Sequence, residues 1–261
     1  MTLTEKFSDL ASRGEKALVC FFTAGDQPLV DLPRIVSILE EAGADAIEIG
    51  IPFSDPFGEG PTIQHSSQRA LENGATVSKI LDAISRCNAS IPLVTMGYYN
   101  PILRTGLDAY ATGSKQAGCT GTIISDLIPD EADDWDAASA RAGLETIYLC
   151  APTSTSTRIE EVARRSTGFV YAVSRTGVTG AESAVPPEVK ELVARVRALT
   201  PKPVCVGFGI SKPEHVRMVC SVADGAVVGS ALVKCLHEHW GTADAESQVS
   251  ALVKELKAAT H

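Results

Sequence analysis

Apolar runs and amphipathic stretches alternate along this chain from one end to the other. Leu3 to Ser12 carries Leu3, Phe7 and Leu10 on one face, which predicts a short opening helix. Ala17 to Thr23 is a continuous apolar run closed by Ala24-Gly25-Asp26, the pattern of a buried strand. Leu32, Ile35, Val36 and Leu39 then recur at helical spacing until Gly43. Ala46 to Gly50 predicts a second strand. A loop to Gly60 and helices from Pro61 to about Asn73 and from Val77 to Arg86 follow it. Further strands are expected at Pro92 to Gly97, Thr120 to Ser125, Glu145 to Cys150, Phe169 to Ser174, Pro203 to Phe208 and Gly225 to Gly229. Tyr98 to Pro101 reads as a loop. Helices are expected near Leu107 to Ala117, Glu131 to Arg141, Thr157 to Arg165, Val189 to Val196, Pro213 to Val219 and Ala231 to Trp240. A last helix is marked by Val249, Leu252, Val253 and Leu256.

Eight apolar strands, each followed by an amphipathic helix, imply a parallel sheet covered by helices. Eight such units in 261 residues match a closed barrel. A doubly wound open sheet is the alternative, but no GxGxxG follows the first strand. The expected class is therefore α/β: an eight-stranded parallel β/α (TIM) barrel with extra N- and C-terminal helices. No linker or shift of composition divides residues 1–261, so one domain is expected.

Composition narrows the function classes. The chain is 44% hydrophobic and 21% charged, an ordinary balance for a folded domain. Its net charge of −9 and lack of a basic cluster exclude the electrostatic footprint of a nucleic-acid binder. No apolar run is long enough to span a membrane, and the polar first dozen residues do not resemble a secretory signal. Seven dispersed cysteines without a CxxC suit a reducing cytoplasm and read mainly as small buried hydrophobes. The five histidines show no metal-ligand spacing, so no metal is expected. His237 and His239 read as solvated, and Trp135 and Trp240 as packing residues.

Chemistry concentrates at the predicted carboxyl ends of the strands, where barrel active sites lie. Glu48 sits inside an apolar strand, flanked by Ile47 and Ile49. A carboxylate there is costly unless it is paired or used. It is either a tuned general acid–base or a buried acid satisfied by an amide or a lysine. The following loop carries Asp55 and Glu59, which are either functional acids or solvated charges that cap the Pro61 helix. Gly207-Phe208-Gly209 and Gly229-Ser230 follow the seventh and eighth strands and suit a phosphate cradle. Ser174 to Ala181, spaced by Gly177 and Gly180, suits a lid.

Several segments together resemble the tryptophan synthase alpha subunit from Phe7 to Leu256. They are Ile47-Glu-Ile-Gly-Ile-Pro-Phe-Ser-Asp-Pro56, Gly60-Pro-Thr-Ile-Gln64, Tyr98-Tyr-Asn100, Ser174-Arg-Thr-Gly-Val-Thr-Gly180, Gly207-Phe-Gly-Ile210 and Gly229-Ser-Ala231. The resemblance implies a lyase that splits indole-3-glycerol phosphate into indole and glyceraldehyde 3-phosphate in the last steps of tryptophan biosynthesis. It implies no cofactor in this chain. It also implies a beta-subunit partner, joined in an α2β2 complex, that holds pyridoxal phosphate and receives the indole. By the same resemblance Glu48 and Glu59 are the catalytic acids. Phe21 and Phe208 sandwich the indole, Tyr98 and Tyr171 line the pocket, and Thr179 closes the lid onto the second acid. Gly180, Gly207, Gly209, Gly229 and Ser230 hold the phosphate end. One departure stands out. The family's Ala-Asp-Gly-Pro reads Gly58-Glu-Gly-Pro61 here, so a longer acid replaces the family's Asp. Gly97 is likewise smaller than the residue usual in the family. Two alternatives stand beside the active alpha subunit: a stand-alone lyase, and a catalytically impaired barrel, motivated by Glu59, that tunes a beta subunit allosterically.

Overall fold

In the computed structural model, which describes residues 1–173, 186–207 and 209–261, the strands lie parallel and fully or largely buried. They are β1 (Ala17–Thr23), β2 (Ala46–Gly50), β3 (Leu93–Gly97), β4 (Gly121–Ile124), β5 (Glu145–Ile147), β6 (Leu149–Cys150), β7 (Val170–Val173), β8 (Val204–Gly207) and β9 (Gly225–Val228). The hydrogen-bonded order is β5-β4-β3-β2-β1-β9-β8-β7-β6. The expected fifth strand is thus two pieces meeting at Tyr148. The first pairs with β4 and the second with β7. Tyr148 accepts the Tyr171 amide at 3.1 Å while its own N–H turns to Ser166 Oγ at 3.1 Å. One interrupted strand therefore joins both edges of the sheet, and the ring has eight members.

The alternation of each strand sorts its side chains into two layers. Leu18, Cys20, Phe22, Ile47, Ile49, Val204, Val206, Ala226 and Val228 pack outward against the helices. Val19, Phe21, Ala46, Val94, Met96, Ile123, Ile147, Tyr171, Cys205 and Val227 fill the barrel interior. Cys20 is buried in the outer layer, away from the interior. Burial and the charges of Asp45 and Glu48 push its thiol far up.

The helices are α1 (Leu3–Ser12), α2 (Leu32–Glu41), α3 (Pro61–Glu72), α4 (Val77–Ser85), α5 (Tyr99–Thr105), α6 (Leu107–Gln116), α7 (Asp133–Ala142), α8 (Ser156–Arg165), α9 (Pro187–Arg197), α10 (Pro213–Cys220), α11 (Ser230–His239) and α12 (Ala245–Lys257). Helix α1 begins with a capping box between Thr2 and Glu5 and buries Leu3, Phe7 and Leu10 against the interior cluster. It closes the amino-terminal end of the barrel. Trp135 packs against Tyr110 at 6.0 Å, and Trp240 Nε1 donates to Asp31 at 3.0 Å, so both tryptophans are structural. His237 is exposed and His239 half-buried.

Helix α5 corrects the expected loop at Tyr98 to Pro101. The amide of Tyr99 donates to Asp126 Oδ1 at 2.7 Å, Pro101 falls in the first turn where no intrahelical N–H is required, and Gly106 at φ +92° ends the helix. The cap comes from another strand's loop, so no local pattern announced it.

Candidate active site

Both candidate acids issue from β2. Glu48 stands in register with Phe21 on β1 and Val94 on β3, at an interior position of the barrel. Its residue is 0% exposed, and among the described residues neither carboxyl oxygen has a hydrogen-bond partner. No amide or lysine among the described residues satisfies Glu48, which speaks against the satisfied-core reading. Burial, and secondarily the charge of Glu59, push its carboxyl up to about 8.

After Gly50 the chain leaves the barrel through Ile51 and Pro52 and folds into a knot of short turns. Phe57 N–H donates to Asp55 O at 2.8 Å and Glu59 N–H to Pro56 O at 3.0 Å. Gly60 then caps α3 without a side-chain bond, and Pro61 takes the first helical position. Glu59 is therefore no helix cap. It lines a narrow cleft with Phe21, Ile51, Phe53, Met96, Tyr98 and Ser125. Burial pushes its carboxyl up to about 7. Asp55 is exposed, takes a 2.5 Å bond from Ser54 Oγ and does not line the cleft. The loop's two acids are thus separated by structure: one faces in and one faces out.

Aromatic rings shape the remaining walls. The Phe21 ring lies so close over Gly50 that a Cβ there would meet its Cζ at 2.7 Å, and a Cβ on Gly229 would meet its Cδ1 at 3.3 Å. Glycines on both flanking strands make room for that ring. Tyr171 leans over Gly207 in the same way, and burial together with the charges of Glu48 and Glu59 holds its phenol well above the ordinary value. Tyr98 stacks on Phe53 at 5.1 Å and meets Phe57 edge-on at 5.5 Å. Gly97 lines the same cleft, where a Cβ would press Ile51 at 3.1 Å. Sequence reasoning passed over Phe53 and Ser125. Their only signal was position just beyond the carboxyl ends of β2 and β4.

The anion-binding half of the site is partly described. Gly229 caps α11 without a side-chain hydrogen bond, so the first amides of that helix remain open to a ligand, with Ser230 at its first position. Gly209 holds φ +67° in the turn after β8. Thr179, Gly180 and Phe208 lie outside the described residues. Among the described residues no group of three or more His, Cys, Asp or Glu side chains is placed to hold a metal ion, and no helix is long and apolar enough to cross a membrane.

A parallel barrel whose cleft opens at the carboxyl ends of its strands has the layout of a β/α-barrel enzyme. A family model described as tryptophan synthase alpha chain matches residues 7–261. The tryptophan synthase alpha chain of Geobacter sulfurreducens is 48% identical over 255 residues, covering 97% of this chain and 96% of that protein. That of Solibacter usitatus is 44% identical over 253 residues, covering 96% and 95%. Tryptophan synthase from M. tuberculosis in its aminoacrylate-bound form superposes with a TM-score of 0.89 at 36% identity, covering 99% of each chain. The alpha subunit from Legionella pneumophila does so with a TM-score of 0.91 at 33% identity, covering 100% and 98%. The chain belongs to the tryptophan synthase alpha chain family. It is a carbon–carbon lyase of that family, cleaving indole-3-glycerol phosphate to indole and glyceraldehyde 3-phosphate. These relationships do not favour the alternatives of an impaired regulatory barrel or a stand-alone lyase.

Proposed function

We propose that Glu48 is the general acid–base of the cleavage and Glu59 the second acid, in place of the family's Asp. The observation that carries this reading is the pair itself. A fully buried Glu48 with no partner for either oxygen among the described residues lies close enough to feel the charge of Glu59, which lines the cleft. Their environments separate their proton affinities, about 8 for Glu48 and about 7 for Glu59. Burial raises both carboxyls and the charge of Glu59 raises Glu48 further, which favours a shared proton on the deeper Glu48.

The reaction needs that division. Indole leaves as a carbanion equivalent unless C3 of the ring is protonated first. Glu48 donates its proton to C3, and ionised Glu59 stabilises the positive charge that develops at the indole nitrogen. The bond from C3 to the glycerol chain then breaks, and its electron pair restores the ring. As the neighbouring hydroxyl becomes the aldehyde, its proton returns to Glu48. The acid ends as it began, and no outside proton or electron is consumed. Phe21 and Tyr171 flank the indole, and Gly209, Gly229 and Ser230 present amides to the phosphate.

In this reading the chain acts as one barrel domain, in the cytoplasm, without a cofactor of its own. It works in an α2β2 complex with a beta subunit that carries pyridoxal phosphate. Three large apolar residues support a docking face at the mouth. Phe57, Leu103 and Ile128 are 77%, 53% and 44% exposed, on segments that follow β2, β3 and β4.

Steady-state indole release from indole-3-glycerol phosphate tests the reading, with and without a beta subunit. Measurable turnover in the isolated chain, raised by the partner and lost in both Glu48→Gln and Glu59→Gln, is expected. Full activity in either variant overturns the assignment of that acid.

A further inference from the structure

Gly58 stands next to the second acid, and its own contacts are unusual for a loop glycine. Its N–H donates to the hydroxyl of Tyr98 at 3.0 Å, across 40 positions of sequence. A Cβ at residue 58 would lie 3.1 Å from that same hydroxyl oxygen. No positive φ explains the glycine, because Gly58 is not among the residues in that region. Space explains it. The phenol approaches so closely that a methyl group forces the ring or the loop to give by a few tenths of an ångström.

The ring has little freedom to give. Tyr98 is 4% exposed, stacked on Phe53 and met edge-on by Phe57, the residue immediately before Gly58. The loop must therefore move, and the next residue along it is Glu59. On the far side Gln64 Nε2 donates to Glu59 O at 2.9 Å, and Thr23 Oγ1 meets Ser66 Oγ at 2.6 Å, fastening α3 to β1. The backbone of Glu59 is held between a clamp at residue 58 and a helix pinned to the barrel wall.

We propose that Tyr98 and Gly58 form a positioning clamp for the second acid, in which the missing side chain at 58 lets the phenol seat the loop at the depth that the longer Glu59 requires. The clamp rests on the assignment of Glu59 as that acid. It acts through the backbone and touches none of the reacting atoms, so Gly58 is a positioning residue. An acid displaced by about an ångström can lose a hundredfold in rate, and displacements of a few tenths cost less.

The test is a double-mutant cycle of Gly58→Ala and Tyr98→Phe on the full chain with its beta subunit, following kcat, KM and the pH dependence of kcat. Gly58→Ala is expected to lower kcat about tenfold with little change in KM, and to move the acidic limb governed by Glu59. Thermal unfolding should be unchanged. In the Tyr98→Phe background, where the hydroxyl is gone, the same Ala substitution should cost less than threefold. A tenfold loss from Gly58→Ala in both backgrounds overturns the clamp, as does no loss in either. Glu59→Gln separates this failure from that of the underlying reading. If Glu59→Gln is inactive while Gly58→Ala is unaffected, the acid stands and the clamp falls. If Glu59→Gln is fully active, the role of Glu59 falls first.

Discussion

Asp45 and Glu48 sit on either side of the start of β2, both buried, and the fold treats them in opposite ways. Asp45 accepts the Leu18 amide at 2.8 Å and the Lys257 ammonium at 2.7 Å, with Lys6 at 3.3 Å. It fastens α1, β1 and α12 together beneath the barrel. Glu48, within that strand, has no hydrogen-bond partner among the described residues. Lys6 and Lys257 reach Asp45 from α1 and α12 at the amino-terminal end, whereas the described lining of the cleft at the other end is aromatic and apolar side chains, a few hydroxyls and Glu59. A partnered buried charge supports the fold, and an unpartnered one costs stability and stores a usable proton. The same contrast runs between the two ends of the barrel. Asp224 below takes Lys16, Arg197 and the Val204 amide, while the Glu59 side chain above lines the cleft.

The contrast is broken most directly at Glu48. Glu48→Gln keeps the shape and removes the transferable proton, so kcat should fall by about 10³-fold or more, within the range expected for a lost general acid–base. Indole release at saturating substrate reads this, and a loss below tenfold means another group moves the proton.

The same variant should reveal the cost of the arrangement. The folded Glu48 carboxyl lies at about 8, against 4.5 for the ordinary group. The folded chain therefore holds more protons than the unfolded chain across that interval. Stability from this group is full below about 4.5 and is lost as pH rises through about 8, by on the order of 4 kcal/mol. Glu59, with its carboxyl at about 7, adds in the same direction. Urea unfolding of the wild type should thus weaken from pH 5 to pH 9 more steeply than that of Glu48→Gln. Parallel curves would contradict the burial of an ionisable Glu48.

Asp45→Ala is the counterpart and should invert the pattern. It strands two lysines and an amide and should destabilise the fold by about 3 kcal/mol. The kcat of the folded fraction should stay within about twofold of wild type. A large loss of kcat with unchanged stability would erase the distinction between the two acids.

The smallest expected effect is the sharpest on mechanism. The pH profile of kcat should be bell-shaped and narrow, with limbs near the two carboxyl values, which belong to the pair rather than to either residue alone. Glu59→Asp should alter kcat by about tenfold or less and shift mainly the acidic limb. An unmoved limb would take Glu59 out of the profile.

Much of this was legible in the linear pattern, because strands and helices announce themselves by local periodicity. Eight apolar runs, the opening amphipathic helix and Pro61 at a helix start all carry their cause within a few residues. Glu48 was legible for the same reason: a lone acid between two isoleucines needs an explanation before any fold is known. Other features depended on contacts between distant segments. The helix Tyr99–Thr105 is capped by Asp126 from another loop. The interruption at Tyr148 comes from closing the ring onto both neighbours. The choice of Glu59 over Asp55 as the inward acid follows from how the turns after β2 pack against Tyr98.

The order of residues determined that this chain would build parallel strand–helix units, where the phosphate-suited glycines would fall, and that one strand would bury an acid. Those outcomes rest on short-range steric preference and on the pairing of apolar faces. Only the tertiary structure decided which buried acid would be satisfied and which left open. That choice depends on whether a lysine from the far end of the chain arrives within hydrogen-bond reach, and Lys257 reaches Asp45 rather than Glu48.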